Sequence, residues 1–378
     1  MEGSHARLKR VGPGLGSRSR IWSVVHNRIK KSPVYSQLAK SDITALNRLT
    51  SKTSWMDQIS PSWKETYSAV YETALLTPLP PSTEAQIDRD VPRTYSLFTE
   101  NSRQLRLRFP PMERANAYHD ALRAVLHATA VESGYAQGMN FLAASFLISE
   151  SCPRSAFILC SYLLKNCAVE VLFDAQCSSL MDYAIFFEDC LQRHNPRLHA
   201  HLQRCEFTPL LYVVEWFTTC FVGTNPGEIS ACVLDLLFGG VKNVLLRVGL
   251  ALLEHLQGTL MGFNQEQLQL HMKRHVASAS VHEVMRGAML VPTRLTGRVD
   301  RLLVMTSSSR AYDSLEMETD QDVDTSVAYA PKSDSSSLLS STEPTDPHID
   351  GDVLNNSGSM NSPYEQPMNQ SPMGPMCP

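Results

Sequence analysis

The chain has 378 residues, 43% of them hydrophobic, enough to bury one large core or two modest ones. Its 34 basic and 38 acidic side chains are nearly balanced, so nothing in the total charge calls for nucleic acid. Nine cysteines, without C-x-x-C pairs and mostly inside apolar stretches such as FILCSYLL, argue against a disulfide framework or zinc cluster and suit reduced core thiols in a cytoplasmic protein.

Basic residues dominate from Arg7 to Lys31, with residues 1–9 forming a basic extension. That charge reads as a solvated helix face, with contact to an anionic membrane or acidic partner as the other option. GPGLG, Gly12 to Gly16, reads as a turn, because Ser17 stands where a dinucleotide fingerprint needs its third glycine and no strand precedes it. A short helix is expected around SWKETYSAVYETALL. The breaker TPLPPST then delivers the chain to IDRDVPRT, Ile87 to Thr94, as an extended or turning segment that displays Arg93. Asp88 and Asp90 are at hand as partners for that arginine.

AYHDALRAVLHATAVES has the apolar spacing of an amphipathic helix, and YAQGMNFLAASFLIS is apolar nearly all round, as a central helix enclosed by neighbours would be. In that helix Tyr135, Met139, Leu142 and Phe146 would share a stripe. Gln137 would face away from it near a start after Gly134, with Ser133 as candidate cap, and Gly138 would permit close approach of another backbone. SAFILCSYLLKNC, SLMDYAIFFEDCLQRHN, LLYVVEWFTTCFV, EISACVLDLLFGG and VKNVLLRVGLALLEHLQG continue the helical pattern, with glycines as helix stops. The last is the most apolar, but Arg247, Glu254 and His255 interrupt it, so any membrane contact is expected to be peripheral. From residue 305 to 378 the composition shifts to Ser, Asp, Pro, Asn and Met, which reads as a disordered tail. The fold class is therefore all-α, with a helical domain over residues 10–304.

Tests for chemistry leave few candidates. No G-x-x-x-x-G-K-[ST] phosphate loop and no G-x-S-x-G elbow is present. His271 and His275 share a helix face, but Met272 stands where a metalloprotease carries its glutamate, so no metal is assigned to them. Arg93 and Gln137 remain. A displayed guanidinium neutralises charge on a transferring phosphoryl group, and a glutamine amide orients an attacking water. Together they would serve GTP hydrolysis if nucleotide and magnesium came from elsewhere.

Ile87-x-x-Asp90-x-x-Arg93, followed by Tyr135-x-Gln137 and then Gly138-Met139-Asn140, resembles the TBC domain of Rab GTPase-activating proteins. The likeness extends to Arg18-x-x-Ile21-Trp22, to Trp216 and Phe217 in EWFTTCF, and to Asp235, covering roughly residues 10–300. The resemblance implies a fully helical fold that binds a GTP-loaded Rab, with no cofactor of its own, GTP and Mg2+ being held by the partner. It implies Arg93 as an arginine finger and Gln137 as a glutamine finger, supported by Ile87, Asp90, Gly134, Tyr135, Gly138 and Asn140. Such a protein is no enzyme alone but an activator in vesicle trafficking, cytoplasmic or peripheral on endomembranes. A Rab-binding scaffold without catalysis stays open as an alternative. The chain departs from the pattern at CVLD, where relatives usually carry Arg and Trp before the acid, and at Ser96, where proline is common.

Overall fold

A computed structural model describes residues 15–51, 54–100, 115–174, 178–225 and 227–296, and the expected basic extension and tail lie outside them. The described elements are helical: α1 (Leu15–Lys30), α2 (Lys40–Leu49), α3 (Pro61–Ala74), α4 (Pro81–Glu100), α5 (Ala115–Ser133), α6 (Met139–Glu150), α7 (Pro153–Asn166) and α8 (Ser178–His194), then α9 (Pro196–Arg204), α10 (Val213–Thr218), α11 (Glu228–Phe238), α12 (Val244–Leu260), α13 (Gln265–Ala277), α14 (Val281–Leu290) and α15 (Thr293–Thr296). The all-α reading of the sequence therefore holds across these residues.

Apolar periodicity explains most of these helices, and prolines at the first turn start several of them. Pro61, Pro153 and Pro196 occupy positions whose N–H would be unbonded in any case, and Ser60 and Asn195 cap α3 and α9 by accepting from Trp63 and Leu198. The N-terminal half packs α5 against α4, α6 and α7, with α3 laid on α7. α12 packs against α14, which in turn receives α1. Trp22 and Trp216 are both buried core side chains.

Arg20, Arg28, Lys30 and Lys31 are exposed, as a solvated basic face would be, but Arg18 of the same stretch and Arg247 of the apolar helix are buried. Arg18, in α1, donates to Asp235 Oδ1 of α11 at 2.6 Å. The same carboxylate accepts from Trp22 Nε1 at 2.8 Å and from Trp55 Nε1 at 2.7 Å, while the Arg18 guanidinium lies 4.3 Å over the Trp55 ring. Burial raises the Asp235 pKa, opposed by Arg18 and the two indole N–H groups. Arg247, in α12, donates to Asp42 Oδ2 of α2 at 2.8 Å and to the carbonyls of Ala288 and Met289. Each guanidinium therefore joins distant elements through partners that sequence order conceals.

Several local expectations are corrected. The octet Ile87 to Thr94 is not extended or turning but lies within α4, which begins at Pro81 and runs through Pro92. Pro92 forfeits one helical hydrogen bond. Burial of Ile87, Val91 and Thr94 against α5 and α6 holds the helix regardless. LLYVVEWFTTCFV is not one helix: a 3-10 turn at Pro209–Leu211 precedes the short α10, and left-handed backbone at Cys220 and Phe221 ends it. Gly258 sits inside α12 rather than stopping it.

Candidate functional site

α4 buries Ile87 and Asp90 toward the core and turns Pro92 and Arg93 outward. The three-residue spacing puts the Asp90 carboxylate within reach of Arg93, whose Nη2 lies 2.7 Å from Asp90 Oδ1 while its side chain stays 45% exposed. Asp88 pairs instead with Arg123 Nε of α5, at 2.7 Å. Arg93 is thus displayed, as the sequence suggests, but from a helix surface instead of a loop.

Gln137 also departs from its expected setting. Ser133 is the last residue of α5 and caps nothing; the chain then leaves the helix at Gly134, whose φ is +76°, and resumes only at Met139, with Gly138 as N-cap at φ +114°. Positive φ is open to glycine at little steric cost, which is why the break falls between these two residues. Tyr135 and Gln137 therefore belong to a connecting loop and not to the α6 stripe. Tyr135 anchors that loop, and Gln137 is exposed.

Two hydrogen-bonded clamps join α4 to this loop, one on each side of Gln137. On the first, Tyr135 Oη donates to Asp90 Oδ2 at 2.6 Å. On the second, Thr94 Oγ1 donates to the Asp90 carbonyl at 2.6 Å and accepts from Asn140 Nδ2 at 2.7 Å, while Asn140 Oδ1 accepts from Gly138 N at 3.0 Å. Asn140 and Thr94 have no exposed surface, so each uses its polar atoms in full inside the protein. Only Ala136 and Gln137 lie between the clamped residues Tyr135 and Gly138. Burial, and then the adjoining Asp90 carboxylate, push the Tyr135 phenol well above its ordinary range and keep it a donor.

Gly138 also meets α10. A Cβ built on it would stand 3.1 Å from the Thr218 carbonyl oxygen and 3.3 Å from the Phe173 ring, so the loop backbone is seated directly on that helix. Thr94, Thr218 and Phe173 are the parts of the site that sequence reasoning missed. Thr94 lies four residues after Asp90, a spacing that signals a contact only once the octet is known to be helical; the other two are far away in sequence.

The arrangement holds a half-exposed guanidinium and an exposed carboxamide on segments locked to one another. Among the described residues, no group of three or more His, Cys, Asp or Glu side chains is placed to hold a metal ion. His271 and His275 instead flank the Phe263 ring at 5.7 and 5.4 Å. No helix among the described residues is long and apolar enough to cross a membrane.

Residues 16–261 match the Rab-GTPase-TBC domain family. The chain belongs to that family. Among curated proteins it is similar to the GTPase activating protein Gyp51 of Schizosaccharomyces pombe, 30% identical over 195 residues that make up 50% of this chain and 19% of that protein. It is also similar to TBC1 domain family member 14 of Bos taurus, 29% identical over 39% of this chain and 22% of the relative. The chain thus spans about a fifth of the length of these relatives. A solved flagellar RabGAP TBC domain from Chlamydomonas aligns with 74% of this chain and 96% of its own at 17% identity, with a TM-score of 0.49.

Proposed function

We propose that this chain accelerates GTP hydrolysis on a Rab-family small GTPase, with Arg93 entering the partner's nucleotide site as an arginine finger and Gln137 as a glutamine finger. The observation that carries the reading is the double clamp: one helix displays Arg93 and grips the loop on both sides of Gln137. In hydrolysis a water oxygen bonds to the γ-phosphorus as the bond to the β–γ bridging oxygen breaks, giving GDP and inorganic phosphate. Gln137 would orient that water, and Arg93 would neutralise charge gathering on the phosphoryl and bridging oxygens. An arginine supplied in this way contributes about 10³ to 10⁵ in rate, or roughly 4–7 kcal/mol of barrier.

Ile87 and Gly134 act at one remove in this reading, the first by burying α4 and the second by turning the chain out of α5. GTP and Mg2+ would be the partner's, so the chain by itself would be an activator and not an enzyme. The test is single-turnover hydrolysis across a panel of purified GTP-loaded Rabs, with and without the chain. Stimulation of a subset is expected. GTP-dependent binding without stimulation of any Rab would replace this reading with a non-catalytic Rab-binding scaffold.

A further inference from the structure

From Arg18 to Ser51 the chain carries seven Lys or Arg residues and one acid. The acid, Asp42, is buried against Arg247 of α12, and Arg18 is paired with Asp235. The other six bases, Arg20, Arg28, Lys30, Lys31, Lys40 and Arg48, are exposed. On α1 the steps from Arg20 to Val24, Asn27 and Lys31 run down the side opposite buried Trp22, Val25 and Ile29. On α2 Lys40, Thr44 and Arg48 lie opposite buried Ala45, Leu46 and Leu49. The two helices pack on one another, and a cleft lined by Arg18, Ser19, Arg48 and Ser51 sets the start of α1 beside the end of α2. Their outward stripes therefore adjoin, spread over about 16 Å along α1.

Neighbouring acids do not cancel this charge. Glu283 of α14 is shared by Arg28 and, at 3.1 Å, by Arg286, so that group keeps a net positive charge. Asp57, in the turn after α2, accepts from the Ser54 N–H at 2.9 Å. Arg20, Lys30, Lys31, Lys40 and Arg48 make no ion pair among the described residues. We propose that this face of α1 and α2 is a docking surface for a bilayer that carries anionic phospholipid headgroups. A protein interface needs an apolar centre, and Val24 is the one large exposed hydrophobic among the described side chains of these two helices. A nucleic acid strand calls for rings to stack on its bases, but Trp22 and His26 are buried and α2 has no ring at all. Bases without a fixed counter-charge, spread over two helices, suit a plane of many headgroups, where each adds to adsorption. None of them shares an element with Arg93 or Gln137, so adsorption uses no part of the proposed hydrolysis site.

The experiment sediments the full chain with vesicles of phosphatidylcholine, with and without phosphatidylserine, in about 0.1 M and about 1 M salt, where the screening length falls from about 10 Å to about 3 Å. One variant combines Arg20→Gln, Lys31→Gln and Lys40→Gln. A second, with Arg197→Gln, Arg204→Gln and Arg274→Gln on α9 and α13, changes the net charge equally at other exposed positions. The wild-type chain is expected to bind the phosphatidylserine vesicles alone, and only at the lower salt. The first variant should bind them about a hundredfold more weakly and the second within about twofold of wild type, both with wild-type melting. No binding of the wild-type chain to the anionic vesicles, or equal binding by the first variant, would overturn the proposal. Equal weakening in both variants would overturn it too, because net charge and not this face would then be acting. Capture of random-sequence RNA or duplex DNA without capture of vesicles, lost in the first variant, would make nucleic acid the occupant and likewise overturn it.

Discussion

Replacing Asp90 with Asn tests whether the clamp on α4 positions the proposed fingers. The carboxylate is 3% exposed and accepts on both oxygens, from Arg93 at 2.7 Å and from Tyr135 at 2.6 Å. Asparagine keeps the volume but is neutral and offers one acceptor, so with Oδ1 turned to Arg93 the ion pair becomes a hydrogen bond to an uncharged amide and Tyr135 Oη must reverse its role and accept from Nδ2. A hydrogen bond to a charged group is worth about 1.5–3 kcal/mol, and if that loss is expressed in the placement of Arg93 and the loop it lowers the rate about ten- to a hundredfold. Tyr135→Phe removes a bond from one side only and leaves the ion pair, so its loss is expected to be smaller, with the double variant short of the product of the two because they share one contact. The assay is single-turnover hydrolysis with a responsive Rab at saturating chain, beside thermal melting. A rate for Asp90→Asn within about twofold of wild type, far inside what a lost charged bond predicts, would refute the positioning argument.

Gly138→Ala places a Cβ at φ +114° and 3.1 Å from the Thr218 carbonyl, so it should destabilise the chain by about 1–3 kcal/mol and slow hydrolysis; an unchanged melting temperature would contradict the seating of the loop on α10. Trp22→Ala and Trp216→Ala should each cost about 3–5 kcal/mol in urea unfolding through lost packing, and unchanged midpoints would contradict their burial. Asp235→Ala strands the buried Arg18 charge and two indole N–H groups, for an expected loss of about 3–5 kcal/mol in the same unfolding experiment; a loss below about 1 kcal/mol would show that the cluster is not held as described.

Much of the helical framework was readable because long apolar runs such as those of α7, α8 and α12 repeat at helical spacing and end near polar or glycine residues. α4 was not readable as a helix, since Pro92 and the breaker before it argue locally for a turn, and the decisive term is burial of Ile87, Val91 and Thr94 against α5 and α6. Gln137 was misplaced for the opposite reason. The apolar run hides the break that Gly134 and Gly138 impose, and a glycine's sign of φ is not written in its neighbours. Residue types at the site were legible as a motif, whereas their joining was not: Asp90 to Tyr135 spans 45 positions and Asn140 to Thr94 spans 46. The convergence of Trp22, Trp55 and Arg18 on Asp235 was likewise out of reach, because it depends on how α1 crosses α11.

In the proposed function Arg93 acts on the transition state of a partner's GTP hydrolysis. Binding of the wild-type chain to a responsive Rab loaded with GDP and aluminium fluoride, a mimic of the transferring phosphoryl group, compared with Arg93→Lys, tests it most directly. Arg93→Lys keeps the charge but loses the planar fork, so capture of the mimic-loaded Rab should weaken by about a hundredfold or more while binding of the GTP-loaded ground state changes little. Equal capture by Arg93→Lys and wild type would contradict the claim.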